Sequence, residues 1–436
     1  MTKKSEISTL LLSLTGAILI TLAQVSGNSA LILSALAFFL ALMVFAKDED
    51  TIPLFLFFLP FSTILKLSPN AISFFSIATV CVFAVKCIKF LGNKFPTNLI
   101  ICVVGISTVT LVSSLLNGYN INASYFMFMG MLIAFPLIFI WTNNVLKFEK
   151  CALFYSIGII LATVLSFIFV NNENLHAYIN VFEDQTIVVR YCGFYGDPNF
   201  YAAQVVTAIG GQLLVISKKT SNKLLTVVLV IALIICGATS VSKSYILCLV
   251  LVITAWLFCQ VQKGLGRFVK VLLGLSVIIA VALASGAFSG IIDEYLVRFG
   301  ASDDASSLTT GRSELWKEYL EFLINNPIDL IIGQGYHSVF KGVRKGSHNT
   351  FIQCIYQLGL IGTTFFVFWI STLISSAKLR KVKISYVLLL VLSCFSMWMG
   401  LDMMFFDDLF LTIILFIMGM IYAQDELPQN NFSYQK

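Results

Sequence analysis

The sequence predicts an all-α protein that crosses a membrane about 12 to 14 times. Of its 436 residues, 58% are hydrophobic and 11% are charged, and the mean hydropathy is +0.92. A soluble domain carries roughly 25% charged residues, so a water-soluble fold is excluded. The apolar stretches are continuous and about 16 to 22 residues long, close to what a helix needs to cross the hydrocarbon core. Barrel strands would alternate in hydrophobicity instead, so the spans are predicted to be helices.

Apolar runs bounded by charged residues, Pro, Asn or Gly give the predicted spans. They lie near 7–25, 29–46, 52–66, 71–89, 97–116, 122–141, 151–170, 198–216, 223–239, 244–260, 268–288, 349–374, 384–401 and 407–423. The short run with Pro53 and Pro60 and the tight pair around Ser240 also fit re-entrant hairpins, which leaves a count of twelve open. The first span is expected to be retained, since no small-residue cleavage pattern follows it. We therefore predict a single integral membrane domain over 1–436.

The orientation follows from the distribution of Lys and Arg, because cytoplasmic loops retain positive charge. Alternate loops separate into a basic set and a set with few basic residues, and both termini fall on the basic, cytoplasmic side. The opposite short loops contain only Lys66, Arg190 and Lys243. The basic set is Lys3, Lys4, Lys86, Lys89, Lys94, Lys147, Lys150, Lys218, Lys219, Lys223, Lys263, Arg267, Lys270, Lys378, Arg380, Lys381 and Lys383.

The same distribution explains the net charge of +6, so no nucleic-acid partner is predicted. The ten cysteines contain no CxxC pair, and all but Cys192 lie in or beside apolar spans, so no disulfide framework is expected. No HxxH arrangement or acid cluster accompanies the histidines. We predict no metal site and no cofactor.

Chemistry is expected in the external loops. Ion-coupled transporters place ionisable groups deep in their spans, and the span centres here contain none. Polar and charged residues gather instead in a first external functional loop, 171–197, in the turn at Ser242 and Lys243, and in a large external loop, 289–348.

The first loop leads directly into a spanning helix. Asp197 is suited to the N-cap position and Pro198 to the first helical position, which places Arg190 just outside a helix N-terminus. Free amides and the helix dipole favour an anion there, and a guanidinium adds planar donors for phosphate. The alternative is a structural ion pair of Arg190 with Glu183 or Asp184.

The large loop contains an amphipathic helix, predicted at about 311–325, capped near Thr310 and lying on the membrane or against the bundle. Arg312 is in its first turn, where a cation is unfavourable unless an anion lies between it and the amides. This position hints at a bound phosphate. A salt bridge to Glu314, Asp303 or Asp304 is the alternative.

The end of the large loop contains two of the three histidines. His348 precedes the next span, and a histidine at a helix N-terminus is favoured as the neutral imidazole that a general base requires. A capping role is the alternative for His348, and His337 and His176 are expected to be ordinary loop residues.

Together these motifs resemble those of the O-antigen ligase and polymerase family of bacterial envelope enzymes, which act on polysaccharides attached to undecaprenyl diphosphate. The resemblance covers residues 190–365. One position departs, because Ser242 and Lys243 stand where the family commonly has Ser-Arg, which keeps the charge but loses bidentate phosphate geometry. The matching residues are Arg190, Gly193, Asp197, Pro198, Asn199, Gly311, Arg312, Trp316, Asn326, Pro327, Gly333, Gly335, His348, Asn349, Gly359 and Gly362.

The resemblance implies a fold similar to the GT-C class and a metal-independent, inverting glycosyl transfer. It implies that Arg190, Arg312 and Lys243 hold the diphosphate leaving group and that His348 takes the proton from the acceptor hydroxyl. Supporting roles are implied for Gly193, Asp197, Asn199, Trp316, Gly333, Gly335 and Asn349.

Three functions remain open at this point. The first is polymerisation of lipid-linked repeat units of O-antigen, capsule or exopolysaccharide on the outer face of the bacterial inner membrane. The second is ligation of the finished glycan to lipid A core, protein or cell wall, as in lipopolysaccharide assembly, which uses the same donor. The third is a lipid-glycan transporter, which needs no external base. The implied partners are the undecaprenyl-diphosphate-linked donor, a lipid-linked repeat unit or lipid A core acceptor, membrane lipids, a chain-length regulator and a flippase.

Overall fold

The chain is an all-α polytopic membrane protein, as the sequence predicts. The structure, a computed structural model, describes residues 3–92, 95–119, 121, 123–176, 178, 182–183, 189–218, 223–286, 289–300, 311–340 and 346–424. Within these ranges, seven helices are long and apolar enough to cross a membrane. They are Glu6–Ser26, Thr97–Leu116, Ala123–Thr142, Phe148–Ile168, Pro198–Ser217, Lys243–Val261 and Thr350–Ser376.

A described helix coincides with every predicted span. The α-helices are α1 (Lys3–Ser26), α2 (Ser29–Val44), α3 (Asp48–Phe58), α4 (Phe74–Lys89), α5 (Thr97–Leu116), α6 (Ala123–Thr142), α7 (Phe148–Ile168), α8 (Pro198–Ser217), α9 (Lys223–Ala238), α10 (Lys243–Val261), α11 (Leu265–Ala284), α12 (Ser289–Gly300), α13 (Arg312–Asn325), α14 (Pro327–Ile332), α15 (Thr350–Ser376), α16 (Ile384–Phe395) and α17 (Asp407–Ala423). Short 3-10 helices cover Leu59–Phe61, Glu173–Leu175 and Ser396–Gly400. Two short antiparallel strands, β1 (Phe182–Glu183) and β2 (Val189–Arg190), pair with Phe182 opposite Arg190.

The proline-containing segment crosses the bundle without forming one continuous helix. Helix α3 ends at Phe58, and the 3-10 turn Leu59–Phe61 follows it. At one end Asp48 contacts Lys86, and at the other the Thr63 hydroxyl donates to the Phe194 carbonyl oxygen. The segment therefore runs from one end of the bundle to the other, and the hairpin alternative does not describe it.

The two ends of the bundle differ in charge. Helix α8 begins beside Arg190 and ends at Ser217, whose carbonyl oxygen accepts a hydrogen bond from Lys263. A helix of about 20 residues is ~30 Å long, so the external motifs and the basic loops lie at opposite ends. At the basic end Lys86 and Lys150 are buried and paired with Asp48 and Asp50, so these lysines also help to pack the bundle.

Helix α15 is broken at Gly359, which has φ 64° and ψ −179°. The break leaves the Tyr356 and Gln357 carbonyl oxygens without helical partners, and the amides of Gln334 and Gly335 donate to them at 2.8 and 3.0 Å. Gly333 has φ 79°, and a β-carbon there would lie 2.5 Å from the Gln357 oxygen. Only glycine permits this backbone approach, which explains the Gly-x-Gly spacing.

The amphipathic helix of the large loop is α13, and it packs against the bundle. Leu315, Tyr319 and Leu323 are buried and form a cluster with Tyr356 of α15. The helix begins at Arg312, one residue after the predicted start, and its N-cap is Gly311, in a left-handed conformation and without a side-chain hydrogen bond. Thr310 itself lies outside the described residues.

Candidate functional site

The first external loop is anchored on the turn between α9 and α10. The Tyr191 amide donates to the Thr239 carbonyl oxygen at 3.0 Å, and Arg190 Nε donates to the Ser240 carbonyl oxygen at 2.9 Å. Arg190 Nη2 also lies 3.4 Å from Asn199 Oδ1, which accepts a second, shorter bond of 2.7 Å from Ser242. Asn199 thereby links the first loop to this turn.

The start of α8 follows the prediction. Asp197 is the N-cap, and its Oδ1 accepts hydrogen bonds from the amides of Asn199 and Phe200 at 2.6 and 3.3 Å. The anchors of Arg190 are a carbonyl and an amide oxygen. Of the predicted alternatives, Asp184 and the side chain of Glu183 are outside the described part of the chain.

A second guanidinium, which sequence analysis missed, holds the same turn. Arg298, near the end of α12, is buried, and its Nη1 donates to the Val241 carbonyl oxygen. Val241 has φ 43°, which is unfavourable for a β-branched side chain. Two arginines thus hold consecutive carbonyl groups of one strained turn. Lys243 is the first residue of α10, and its Nζ lies 5.6 Å from the centroid of the Phe299 ring. Phe299 directly follows Arg298 in the chain.

Arg312 lies beside Gly400 and the first turn of α10. A β-carbon added to Gly400 would lie 2.8 Å from Arg312 Nη1 and 3.7 Å from Ser244 Oγ. Burial lowers the pKa of Arg312, while the carboxylates of Asp197 and Asp402 raise it and the positive charge of Arg298 lowers it. Arg312 is therefore a half-buried cation whose electrostatic neighbours belong to several elements of the site.

The loop that contains His348 is held by a second residue that sequence analysis missed, Asp402. Its Oδ1 accepts from Ser347 Oγ at 2.5 Å and from the Asn349 amide at 3.2 Å, and its Oδ2 accepts from the His348 amide at 3.0 Å. Asp402 lies in the short connection between α16 and α17. One carboxylate therefore fixes three consecutive residues of the loop and lies near Arg312.

Two predicted supporting residues complete this arrangement. Asn349 is the N-cap of α15, and its Oδ1 accepts from the amides of Phe351 and Ile352 at 3.0 and 3.3 Å. The Trp316 indole donates to the Ser347 carbonyl oxygen at 2.9 Å. The capping role considered for His348 belongs to its neighbour, and the half-buried His348 is left outside the helix with φ 47°.

Strained backbone is concentrated in this region. Among the described residues, the non-glycine residues with positive φ are Val241, His337, His348 and Lys378, and the first three lie in the motifs. Such conformations cost about 1–3 kcal/mol each and cluster at functional sites. At Val241 and His348 the hydrogen bonds to Arg298 and Asp402 hold the backbone in place.

The predicted glycines have separate structural roles. Gly193 has φ 59°, and a β-carbon there would lie 3.4 Å from the Tyr201 ring, so the loop turns tightly against α8. Gly335 has φ 101°, and a β-carbon would lie 2.5 Å from Ser114 Oγ on α5. Gly333 packs against the break in α15, as described above. All three glycines support the site by allowing the loops to pack closely against the helices.

A cavity of about 170 Å³ adjoins the His348 loop. His337 lines it, with its ring 4.9 Å from that of Phe405 and 4.4 Å from that of Tyr336, and burial lowers the pKa of this histidine. The other lining residues are Tyr319, Ser338, Val339, Gly346, Ser347, Gln353, Tyr356, Gln357, Asp402 and Phe406.

The described residues of the site carry more positive than negative charge. Among its described residues, four cations, namely Arg190, Lys243, Arg298 and Arg312, lie near two carboxylates, Asp197 and Asp402. Desolvated guanidinium groups are suited to binding phosphate. In the same part of the chain, no group of three or more His, Cys, Asp or Glu residues is arranged to hold a metal ion.

Comparison with known proteins agrees with the motifs. A protein-family model described as O-antigen ligase matches residues 227–367, which include Lys243, Arg298, Arg312 and His348. The match supports assignment to the O-antigen ligase and polymerase family. Arg190 and Asp402 lie outside the matched segment but contact it directly. No curated protein matches the chain significantly.

Replacing Asp402 with Asn tests its role in holding the His348 loop. The amide nitrogen of the introduced asparagine cannot accept, so at least one of the three donors loses its partner, and a hydrogen bond to a charged group contributes about 1.5–3 kcal/mol. We expect the backbone amides of His348 and Asn349 to exchange with deuterium about tenfold faster or more. The control is Asp293→Asn on the exposed surface of α12. Unchanged exchange at both amides would contradict the role of Asp402.

Proposed function

We propose that this protein is a membrane glycosyltransferase that polymerises undecaprenyl-diphosphate-linked oligosaccharide repeat units on the outer face of the bacterial inner membrane. The observation that carries this proposal is the convergence of Arg190, Arg298 and Arg312 at one end of the bundle, beside the loop that presents His348. The family match supports lipid-linked glycans as substrates. The net positive charge fits a diphosphate better than a neutral lipid.

The cationic groups have a clear task in such a reaction. When the bond between the anomeric carbon and the diphosphate oxygen breaks, its electron pair stays with the undecaprenyl diphosphate. Donors already in place stabilise this growing charge more than they stabilise the bound substrate, because they lie in a water-poor site. Arg190 and Arg312 provide planar donors, Lys243 provides a compact charge, and Arg298 holds the turn that presents Lys243.

His348 is the proposed general base. It takes the proton from the acceptor hydroxyl while the hydroxyl oxygen forms a bond to the anomeric carbon, on the face opposite to the leaving diphosphate. The product is a glycoside of inverted configuration, free undecaprenyl diphosphate and a protonated His348. The Asp402 carboxylate accepts from the His348 amide and so fixes the position of this residue relative to Arg312.

A ligase is the second candidate, because the matching family model is described as O-antigen ligase. Ligation of the finished glycan to lipid A core, protein or cell wall uses the same donor and the same residues. A lipid-glycan transporter is disfavoured, since it has no use for a base beside the cationic groups. For the polymerase we propose a flippase that delivers the repeat units and a chain-length regulator as partners.

Deletion of the gene separates the two candidates. A polymerase mutant should lose long chains and accumulate single lipid-linked repeat units, because the first transfer between units is blocked. A ligase mutant should instead accumulate long lipid-linked chains, and that result would contradict the polymerase proposal. The measurement is the length distribution of lipid-linked glycan extracted from the cells, with a strain complemented by the intact gene as the control.

Replacing His348 with Ala tests the base. General base catalysis contributes about 10²–10⁴-fold, so we expect kcat for elongation of purified lipid-linked repeat units to fall by that factor. The KM for the donor should stay within a few-fold, because the proton is transferred only in the transition state. His176→Ala, in an exposed loop position, is the matched control. Elongation at the normal rate by a correctly inserted His348→Ala protein would rule out this role.

A further inference from the structure

The cavity beside the His348 loop differs chemically from the cationic site. Among the described residues that line it, none is Lys or Arg, and Asp402 brings a carboxylate to its wall. The wall combines the amides of Gln353 and Gln357 with the aromatic rings of Tyr319 and Tyr356, which meet edge to face with centroids 4.7 Å apart. Polar groups among aromatic faces suit an uncharged ligand rich in hydroxyl groups.

One residue that lines this cavity has a buried acceptor without a partner. Gln357 Nε2 donates to the Ser338 carbonyl oxygen at 2.8 Å, which fixes the orientation of the amide. Its Oε1 is buried without a hydrogen-bond partner, and the residue is only 5% exposed. An unpaired buried acceptor costs about 1–3 kcal/mol, and a ligand hydroxyl in the cavity would remove this cost.

Asp402 has acceptor capacity left as well. A carboxylate offers about four lone-pair sites, and the loop uses three of them. By contrast, Gln353 Oε1 is already occupied by the Met404 amide at 3.0 Å. Acceptors for hydroxyl groups are therefore available on two walls, one from α15 and one from the connection before α17.

The size of the cavity suits a ligand of one ring. A cavity of about 150 Å³ accommodates a six-membered ring such as benzene, and this one measures about 170 Å³. This volume matches a single sugar ring. The loop residues Gly346 and Ser347, immediately before His348, form part of the wall. A sugar bound here would lie next to the proposed base and outside the diphosphate site.

We propose that this cavity is a monosaccharide subsite for the acceptor glycan, in which Gln357 Oε1 and Asp402 accept hydrogen bonds from sugar hydroxyl groups. The subsite holds one sugar residue of the acceptor while the diphosphate of the donor occupies the cationic cluster. This inference rests on the proposed glycosyl transfer, but sugar binding is measurable without turnover.

Saturation-transfer NMR on the purified full-length protein tests the subsite. The probe is the water-soluble oligosaccharide released by mild acid from lipid-linked repeat units of the source cells. We expect saturation to concentrate on one monosaccharide, with the same pattern for wild type and His348→Ala. Gln357→Met keeps the side-chain length but removes the acceptor, so it should lower the signal at least fivefold.

Gln260→Met is the matched control, because Gln260 Oε1 is also buried and unpartnered but lies at the opposite, basic end of the bundle. It should bind like wild type. Val339→Trp provides a second test that leaves Gln357 in place, since Val339 is 38% exposed and lines the cavity, and a larger side chain there should block it. If Gln357→Met and Val339→Trp both gave the wild-type signal, the subsite would be overturned.

The proposed subsite and the proposed reaction can be contradicted independently of each other. Binding that is lost in Gln357→Met, together with wild-type protein that elongates no glycan, would support the subsite and contradict the glycosyl transfer. Normal elongation with an unchanged acceptor KM in Gln357→Met would contradict the subsite and leave the transfer intact. If both hold, the variant should raise the acceptor KM at least fivefold and leave the donor KM unchanged.

Discussion

The hydrogen bonds that the Asp402 carboxylate accepts from Ser347, His348 and Asn349 are the interaction on which the site depends. They join the start of α15 to the connection between α16 and α17, and so hold together two elements that are distant in sequence. The Asp402 carboxylate also attracts the half-buried guanidinium of Arg312. The proposed base and one of the proposed phosphate ligands therefore both interact with Asp402.

A second constraint is the break in α15. A continuous helix would use the Tyr356 and Gln357 carbonyl oxygens internally, and the Gly333–Gly335 segment would have no place to bind. The break at Gly359 frees them, and the segment then places His337 and Ser338 at the cavity. The same helix carries Gln357, so the backbone irregularity and the proposed sugar subsite are parts of one arrangement.

Features set by local sequence were predictable. The spans, the cap at Asp197 and the amphipathic helix α13 depend on residues within a few turns of one another, and the structure has them. The predicted residues Arg190, Lys243, Arg312 and His348 come together around one turn and one loop. Their order in the chain resembled a known family, whereas their actual partners depend on long-range packing that no local pattern encodes.

Three residues were not identified from the sequence because their roles depend on long-range contacts. Arg298 lies in a mixed-charge stretch of the large loop, where nothing distinguishes a buried guanidinium from an exposed one. Asp402 lies between two apolar runs, and the signal that could have identified it is the presence of Asp402, Asp407 and Asp408 within seven residues between these runs. Gln357 looks like a tolerated polar residue within a span. Each became significant only through contacts with residues at least 19 positions away.

The proposed reaction depends on Arg190, Arg312 and Lys243 holding the diphosphate of the donor. The most direct measurement is a cryo-electron microscopy structure of the protein with bound undecaprenyl diphosphate. We expect diphosphate density within hydrogen-bond distance of at least two of Arg190, Lys243 and Arg312, on the side that faces His348. Diphosphate bound at the opposite end, beside Lys218 and Lys263, with this cluster empty, would contradict it.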